Sequence, residues 1–341
     1  MSSVNEPRRI LVIQTAFLGD IVLTLPLIRA LKKYKPETEL YLLTTPIGSS
    51  LLEAQHIVDR IIVYDKRADD KGIIPLLKQI KLLKELNIDT VVSPHRSIRS
   101  GLIALLSGAH KRIGYNLFHL IPFYNVRVKR NRYLHEVDRI LSLLAPLNIR
   151  ISNDERYPLL KTNKISRQKQ LIGIAPGSTW ATKQWTQEGY AELIKLLYKN
   201  GYSTVLLGSK DERAVADRIK MLAGVEVQDM VGKTDLNALV DLLSGIGLLV
   251  TNDNGAMQVA QAVQTPIVAI FGPTVPEQGF APIRDNTCIV ENKGLYCRPC
   301  SPHGPDECPE GHFLCMRSIT PDAVFRAIND LLQKQETAKQ Y

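Results

Sequence analysis

Twice along this chain, short runs of β-branched and aliphatic residues alternate with stretches of helical periodicity, and a polar stretch divides the two series. Few folds accept that order. Strands separated by helices pair in parallel, and parallel sheet needs helices on both faces. The first series has strands at Arg9–Gln14 (RILVIQ), Leu40–Leu43, Ile61–Tyr64 and Thr90–Ser93, with helices expected at Asp20–Tyr34 and Ile73–Leu86. The second has strands at Leu171–Ala175, Ser203–Leu207, Leu248–Thr251 and Ile267–Phe271. Its helices are expected at Gln187–Lys199, Asp211–Leu222 and Pro321–Lys334, the last opened by Thr320 as N-cap and Pro321 at its first position. The polar stretch from Asn148 to Lys169, with Asn153, Asp154, Pro158, Lys161 to Lys164 and Arg167, reads as a linker. Expected are two α/β domains, 1–160 and 161–341, each a Rossmann-like doubly wound sheet. In such sheets ligands bind beyond the carboxyl ends of the strands, so the two domains are expected to face each other across a cleft and to close about the linker.

Several function classes are disfavoured. No apolar run approaches the ~20 residues that span a bilayer. The polar start Met1–Arg9, followed by an apolar stretch broken at Gly19 and Asp20, does not read as a signal peptide. A cytoplasmic protein is expected, with peripheral attachment to the inner face of the inner membrane compatible with its charge. No G-x-G-x-x-G follows either first strand, and G-x-x-x-x-G-K-[ST] is absent, against dinucleotide dehydrogenases and P-loop ATPases. The formal charge is +9, of which +7 falls between Arg96 and Arg139, where nine basic residues meet only Glu136 and Asp138. That excess suits an anionic partner or a solvated basic surface. A non-catalytic protein binding RNA or an anionic membrane would use the same charge, but no RNA-binding signature accompanies Tyr115, Phe118, Phe123 and Tyr124.

Four segments carry a family resemblance: ILVIQTAFLGDIVLTLPLIRAL (10–31), SPHRSIRSGLIALLSGAHKRIGY (93–115), APGSTWATKQW (175–185) and TNDNGAMQVAQAVQTPIVAIFGPTVP (251–276). In this order the chain resembles glycosyltransferase family 9, the ADP-heptose:lipopolysaccharide heptosyltransferases, and within it the heptosyltransferase II branch. The resemblance implies a GT-B fold and an inverting transfer without a catalytic metal or cofactor. The chain contains no D-x-D motif, in line with that. It implies ADP-L-glycero-β-D-manno-heptose as donor and the lipid A–Kdo–heptose inner core as acceptor. A family member using another nucleotide sugar or surface glycan is the alternative.

Such a transfer needs a base for the acceptor hydroxyl and a counter-charge for the leaving diphosphate. The resemblance gives the first task to Asp20 of the Gly-Asp pair, although an Asp at a helix start is by position alone a cap. A helix N-terminus also favours its ionised form. Lys183 matches the lysine that faces the diphosphate, and Ser178 and Thr179 the phosphate-contacting pair before it. Asp253, Asn254 and Gly255 match a donor-binding turn, with Gly255 opening a helix toward phosphate. Gln258 stands where the family usually has histidine; it can donate a hydrogen bond to phosphate but carries no charge. Gly272-Pro273-Thr274 matches a further turn. For the acceptor, His95, Arg96 and Arg99 follow a strand end, with Arg112 and His135 as weaker candidates and Arg127 to Arg132 on the rim. Cys297, Cys300, Cys308 and Cys315 are spaced C-x2-C-x7-C-x6-C, which suits reduced thiols in a Pro-rich loop or a tetrahedral metal, with His303 and His312 as spare ligands.

Overall fold

A computed structural model describes residues 7–65, 73–163 and 166–337. The start of the chain through residue 6 and Lys164 of the expected linker lie outside them. The chain divides into two compact units, Met1–Pro158 and Leu159–Tyr341.

The first unit runs β1 (Arg9–Gln14), α1 (Leu18–Tyr34), β2 (Glu39–Thr44), α2 (Pro46–Leu52), β3 (Arg60–Val63), α3 (Ile73–Glu85), β4 (Thr90–Val92), α4 (Ile98–Leu106), β5 (Lys111–Tyr115), β6 (Val126–Val128) and α5 (Glu136–Leu141). The second runs β7 (Gln168–Ala175), α6 (Gln187–Lys199), β8 (Ser203–Leu206), α7 (Arg213–Ala223), β9 (Gln228–Asp229), α8 (Leu236–Gly245), β10 (Ile246–Asn252), α9 (Gly255–Ala262), β11 (Ile267–Phe271), β12 (Thr287–Glu291), α10 (Leu314–Arg317) and α11 (Pro321–Thr337).

Each unit is built on one six-stranded sheet, ordered β3-β2-β1-β4-β5-β6 and β12-β11-β10-β7-β8-β9. Every pairing is parallel. The strand order reverses beside β1 and β4 in the first sheet and beside β7 and β10 in the second, so a crevice opens beyond the carboxyl ends of those pairs. The central strands are uniform apolar runs because helices cover both faces: β10 is buried along its whole length and β1 from Ile10 onward. Separate cores back the two sheets, one around Leu11, Ile13, Leu43 and Val91, the other around Ile172, Trp185, Tyr190 and Ile270.

The segment expected to be a linker is largely held in place. Asn153–Arg156 forms a 3-10 turn with a Ser152/Glu155 capping box, and Lys33 Nζ reaches Glu155 at 2.6 Å. Its last residues, Gln168 and Lys169, belong to β7.

Candidate active site

In the first unit, β1 delivers the chain into a loop whose far end is α1. Gln14, buried at the strand end, accepts from Ala16 N at 3.3 Å and donates to Thr24 Oγ1 at 2.9 Å, which fixes the loop against the first turns of the helix. Asp20 is not the N-cap. That position is Phe17, which makes no side-chain cap bond, and Asp20 lies within the first turn. Its residue keeps a partial opening to solvent, yet protein atoms crowd the carboxyl. Burial, helped by the negative charge of Glu136, raises its pKa from 3.8 to about 6, against the pull of the Phe17 N–H and Arg96. The expectation that the helix N-terminus would favour the ionised form is therefore overridden by desolvation.

Across the strand-order reversal, β4 ends and the chain turns into α4 through Ser93–Ser97. His95 Nδ1 lies 2.9 Å from Thr15 Oγ1 and 2.8 Å from Ser100 Oγ, joining the two loops that flank the crevice. Ser97 caps α4 by accepting from Ser100 N at 3.1 Å. Arg96 and Arg99 are exposed, and Arg96 is near enough to Asp20 to act on its titration. Arg130 is turned inward from the rim: its side chain is only 12% exposed, pairs with Glu136 and stands over the Tyr115 ring at 5.7 Å. Glu136 is also held by Arg139 at 2.8 Å. Arg112 spends its guanidinium on the carbonyls of Phe123 and Ala109, at 3.0 and 2.7 Å, and His135 caps α5 by accepting from Val137 N at 3.2 Å. Both weaker acceptor candidates thus have structural work.

In the second unit, β7 leads into Pro176–Gly177 and β10 into Asp253–Gly255. Asn252 Nδ2 donates to Pro176 O at 2.6 Å and Asn254 Nδ2 to Gly177 O at 2.7 Å, so the two loops are tied together. A Cβ on Gly177 would meet the side chain of Glu212, which would have to move aside. Asn254 is the N-cap of α9, accepting from Met257 N at 3.0 Å, and Gly255 is the first helical residue. The N–H groups before the first full turn remain directed beyond the helix end, as an anion site requires.

Lys183 Nζ meets Asp253 Oδ2 at 2.6 Å, and the same oxygen accepts from Thr274 Oγ1 at 2.9 Å. The three loops after β7, β10 and β11 thus converge on one carboxylate. Asp253, in the turn matched to donor binding, thus holds the lysine through Oδ2. Ser178 Oγ accepts from Trp180 N at 3.4 Å and its carbonyl from Gln184 Nε2 at 2.9 Å, while Thr179 is exposed. Gln258 is buried, donates to Phe280 O at 2.7 Å and accepts from Gln261. Its amide serves the protein rather than standing open to a phosphate.

The cysteine-rich loop packs behind this site. Cys300 N donates to Pro273 O at 3.0 Å, and Trp180 stacks on His303 with centroids 6.2 Å apart. Arg298, whose side chain is almost fully buried, reaches Thr274 O and Glu291 Oε2, both at 2.9 Å, and Gly272 O. The four thiols are free; burial, and then the neighbouring thiols, push the pKa of Cys300 and of Cys315 up, but among the described residues no group of three or more ligands is set to hold a metal.

The profile described as glycosyltransferase family 9 (heptosyltransferase) matches residues 76–309, more than half of the chain. The chain belongs to glycosyltransferase family 9. Its relatives include the lipopolysaccharide heptosyltransferase 2 of Escherichia coli K12, 27% identical over 96% of this chain and 99% of that one. The lipooligosaccharide heptosyltransferase 2 of Haemophilus influenzae is 26% identical over 95% and 99%. Among solved structures, a family 9 glycosyl transferase from Veillonella parvula superimposes with a TM-score of 0.82 at 24% identity, covering 96% of this chain and 97% of that one. Family 9 membership makes this chain a glycosyltransferase of the GT-B fold, and the non-catalytic alternative falls. Glu136, Asn252 and Arg298 were not singled out from sequence. Each acts by holding another group; a polar residue closing an apolar run could have marked Asn252, while Arg298, in the cysteine-rich loop, carried no such signal.

Proposed function

We propose that this family 9 enzyme transfers L-glycero-D-manno-heptose from ADP-heptose to the heptose-bearing inner core of lipopolysaccharide, with inversion. Asp20 carries the reading: a crowded carboxyl with a pKa of about 6, at the crevice of its sheet and within reach of Arg96, has the proton affinity of a general base at neutral pH. The acceptor hydroxyl oxygen attacks the anomeric carbon on the face opposite ADP. The new C–O bond forms as the C–O bond to the β-phosphate breaks, and the hydroxyl proton passes to Asp20. Lys183 and the N–H groups opening α9 meet the charge on departing ADP, with Asp253 aiming the lysine. Ser178 and Thr179 line the phosphate loop. His95, Arg96 and Arg99 bind the phosphates or carboxylates of the acceptor core. Support comes from the full-length relatives named heptosyltransferase 2.

The test is steady-state transfer to a lipid A–Kdo–heptose acceptor with ADP-heptose, ADP-mannose and UDP-sugars compared. ADP-heptose is expected to give the highest kcat/KM. A higher value with another nucleotide sugar would overturn the donor, and no transfer to the core acceptor would overturn the acceptor.

A further inference from the structure

One side of the first unit is apolar where solvent should make it polar. The inner face of α4 is buried through Ser100, Gly101, Ile103 and Ala104. Its outer face carries Ile98, Leu102 and Leu105, spaced i, i+4, i+7, with Leu106 beside them. Ile98 is 58% exposed, and Leu105 and Leu106 are exposed too. A helix apolar all round is normally covered by other elements. α3 packs alongside and adds Leu77, 54% exposed. The 3-10 turn Phe118–Leu120 packs on α4, and His119 Nε2 lies 3.3 Å from Arg96 O. Phe118, which opens that turn, is 92% exposed.

The charges around this strip are mostly positive. Lys78, Lys81, Lys84, Arg96 and Arg99 are all exposed. Between residues 76 and 121 the acids are Glu85 and Asp89 alone. Asp89 lies at the opposite end of the sheet, where it accepts from Arg8 N and Arg9 N at 2.7 and 2.8 Å. No helix is long and apolar enough to cross a membrane, among the described residues.

We infer that the outer faces of α3 and α4, with Phe118, form a surface that lies on an anionic lipid bilayer, the apolar side chains entering the headgroup boundary and the lysines and arginines meeting lipid phosphates. Apolar residues flanked by cations are what an interfacial helix presents. A second copy of the chain fits less well, since a two-fold pairing would set the same cations against themselves. The end of this surface formed by Ile98 and Phe118 adjoins the His95–Thr15 contact and hence the Asp20 loop, so docking brings a lipid-borne acceptor to the base. The inference extends the proposed acceptor only in that last respect.

The experiment is co-sedimentation with vesicles of phosphatidylethanolamine and phosphatidylglycerol, and of phosphatidylcholine alone, with neither donor nor acceptor present. The unmodified chain is expected to sediment with the anionic vesicles. Combining Leu77→Gln, Ile98→Gln and Phe118→Gln should lower that partition about tenfold or more. Lys78→Gln with Lys81→Gln should weaken it at low salt and converge with the unmodified chain at high salt. Tyr198→Gln, at an aromatic 55% exposed on the second unit, should change nothing. All variants should transfer sugar normally to a deacylated, water-soluble acceptor, which shows that they fold. Sedimentation unaffected by the triple change, or none by the unmodified chain, would overturn the inference. So would light scattering showing a dimer that the triple change dissociates. Because transfer is read separately, loss of vesicle binding leaves the proposed reaction standing, and loss of transfer leaves the docking surface standing.

Discussion

Asp20 must be ionised to take a proton and must not be so acidic that it cannot hold one, and its surroundings set that balance. With a pKa of about 6, the acid limb of kcat/KM is expected to rise through that pH and flatten above about 7. Arg96 pulls the pKa down and Glu136 pushes it up. Arg96→Gln should therefore move the limb to higher pH, which a pH–rate profile reads directly; an unmoved limb would separate Arg96 from the base. Asp20→Asn should cut kcat at least about a hundredfold with ADP binding intact. It should also stabilise the fold. The folded carboxyl titrates near 6 and the unfolded one near 3.8, so the native state pays for ionisation above about pH 6 and pays nothing below about 4. The variant should gain roughly 3 kcal/mol at most at neutral pH, shrinking as pH falls through that window. Thermal melts of both proteins at pH 4 and pH 8 check the sign, and a variant less stable at pH 8 would contradict it.

At the scale of elements, three loops after β7, β10 and β11 share Asp253, and α9 begins beside them. Lys183→Ala should weaken ADP binding and slow transfer together, because the lysine is placed to meet the diphosphate in both ground and transition states. Calorimetry with ADP and turnover, both unchanged, would return Lys183 to a structural ion pair. Gln258 poses a different question. Its amide holds the Phe280 carbonyl and Gln261 from inside the fold, so Gln258→His should not improve ADP affinity. Losing one of those buried bonds should cost roughly 1–3 kcal/mol, read from urea unfolding. A gain in ADP affinity would show that this position reaches the phosphates after all.

Over the whole molecule the charge is divided sharply. The first unit has 24 Lys and Arg against 15 Asp and Glu, the second 19 against 19, so the first carries all of the +9. Raising ionic strength is expected to increase the KM of an anionic core acceptor more steeply than that of the donor. Removing charge at exposed Lys129 and Arg132 should imitate part of that effect, while Arg130, turned inward and paired with Glu136, should instead cost stability. Equal salt dependence for donor and acceptor would remove the acceptor from the basic unit.

The alternation of strand and helix was enough to place two doubly wound sheets. Gln187–Lys199 and Ile267–Phe271 lie where periodicity put them because long helical periods and buried parallel strands are written in consecutive residues. The short strands β5, β6, β9 and β12 were passed over: two to five residues leave too little pattern, and pairing with neighbours far along the chain makes them strands. The glycine and asparagine turns of the candidate site were legible as motifs. What those side chains do was not. Asp253 could be read only as part of a donor-binding turn, Arg130 as a rim charge and Gln258 as a phosphate donor until the fold supplied Lys183, Glu136 and Phe280 as partners. A polar side chain's role is set by which group it meets at about 3 Å, and that group is commonly tens of residues away. Local sequence records the side chain's chemistry; only tertiary structure decides its partner, and with it the proton affinity that makes Asp20 a candidate base rather than a helix cap.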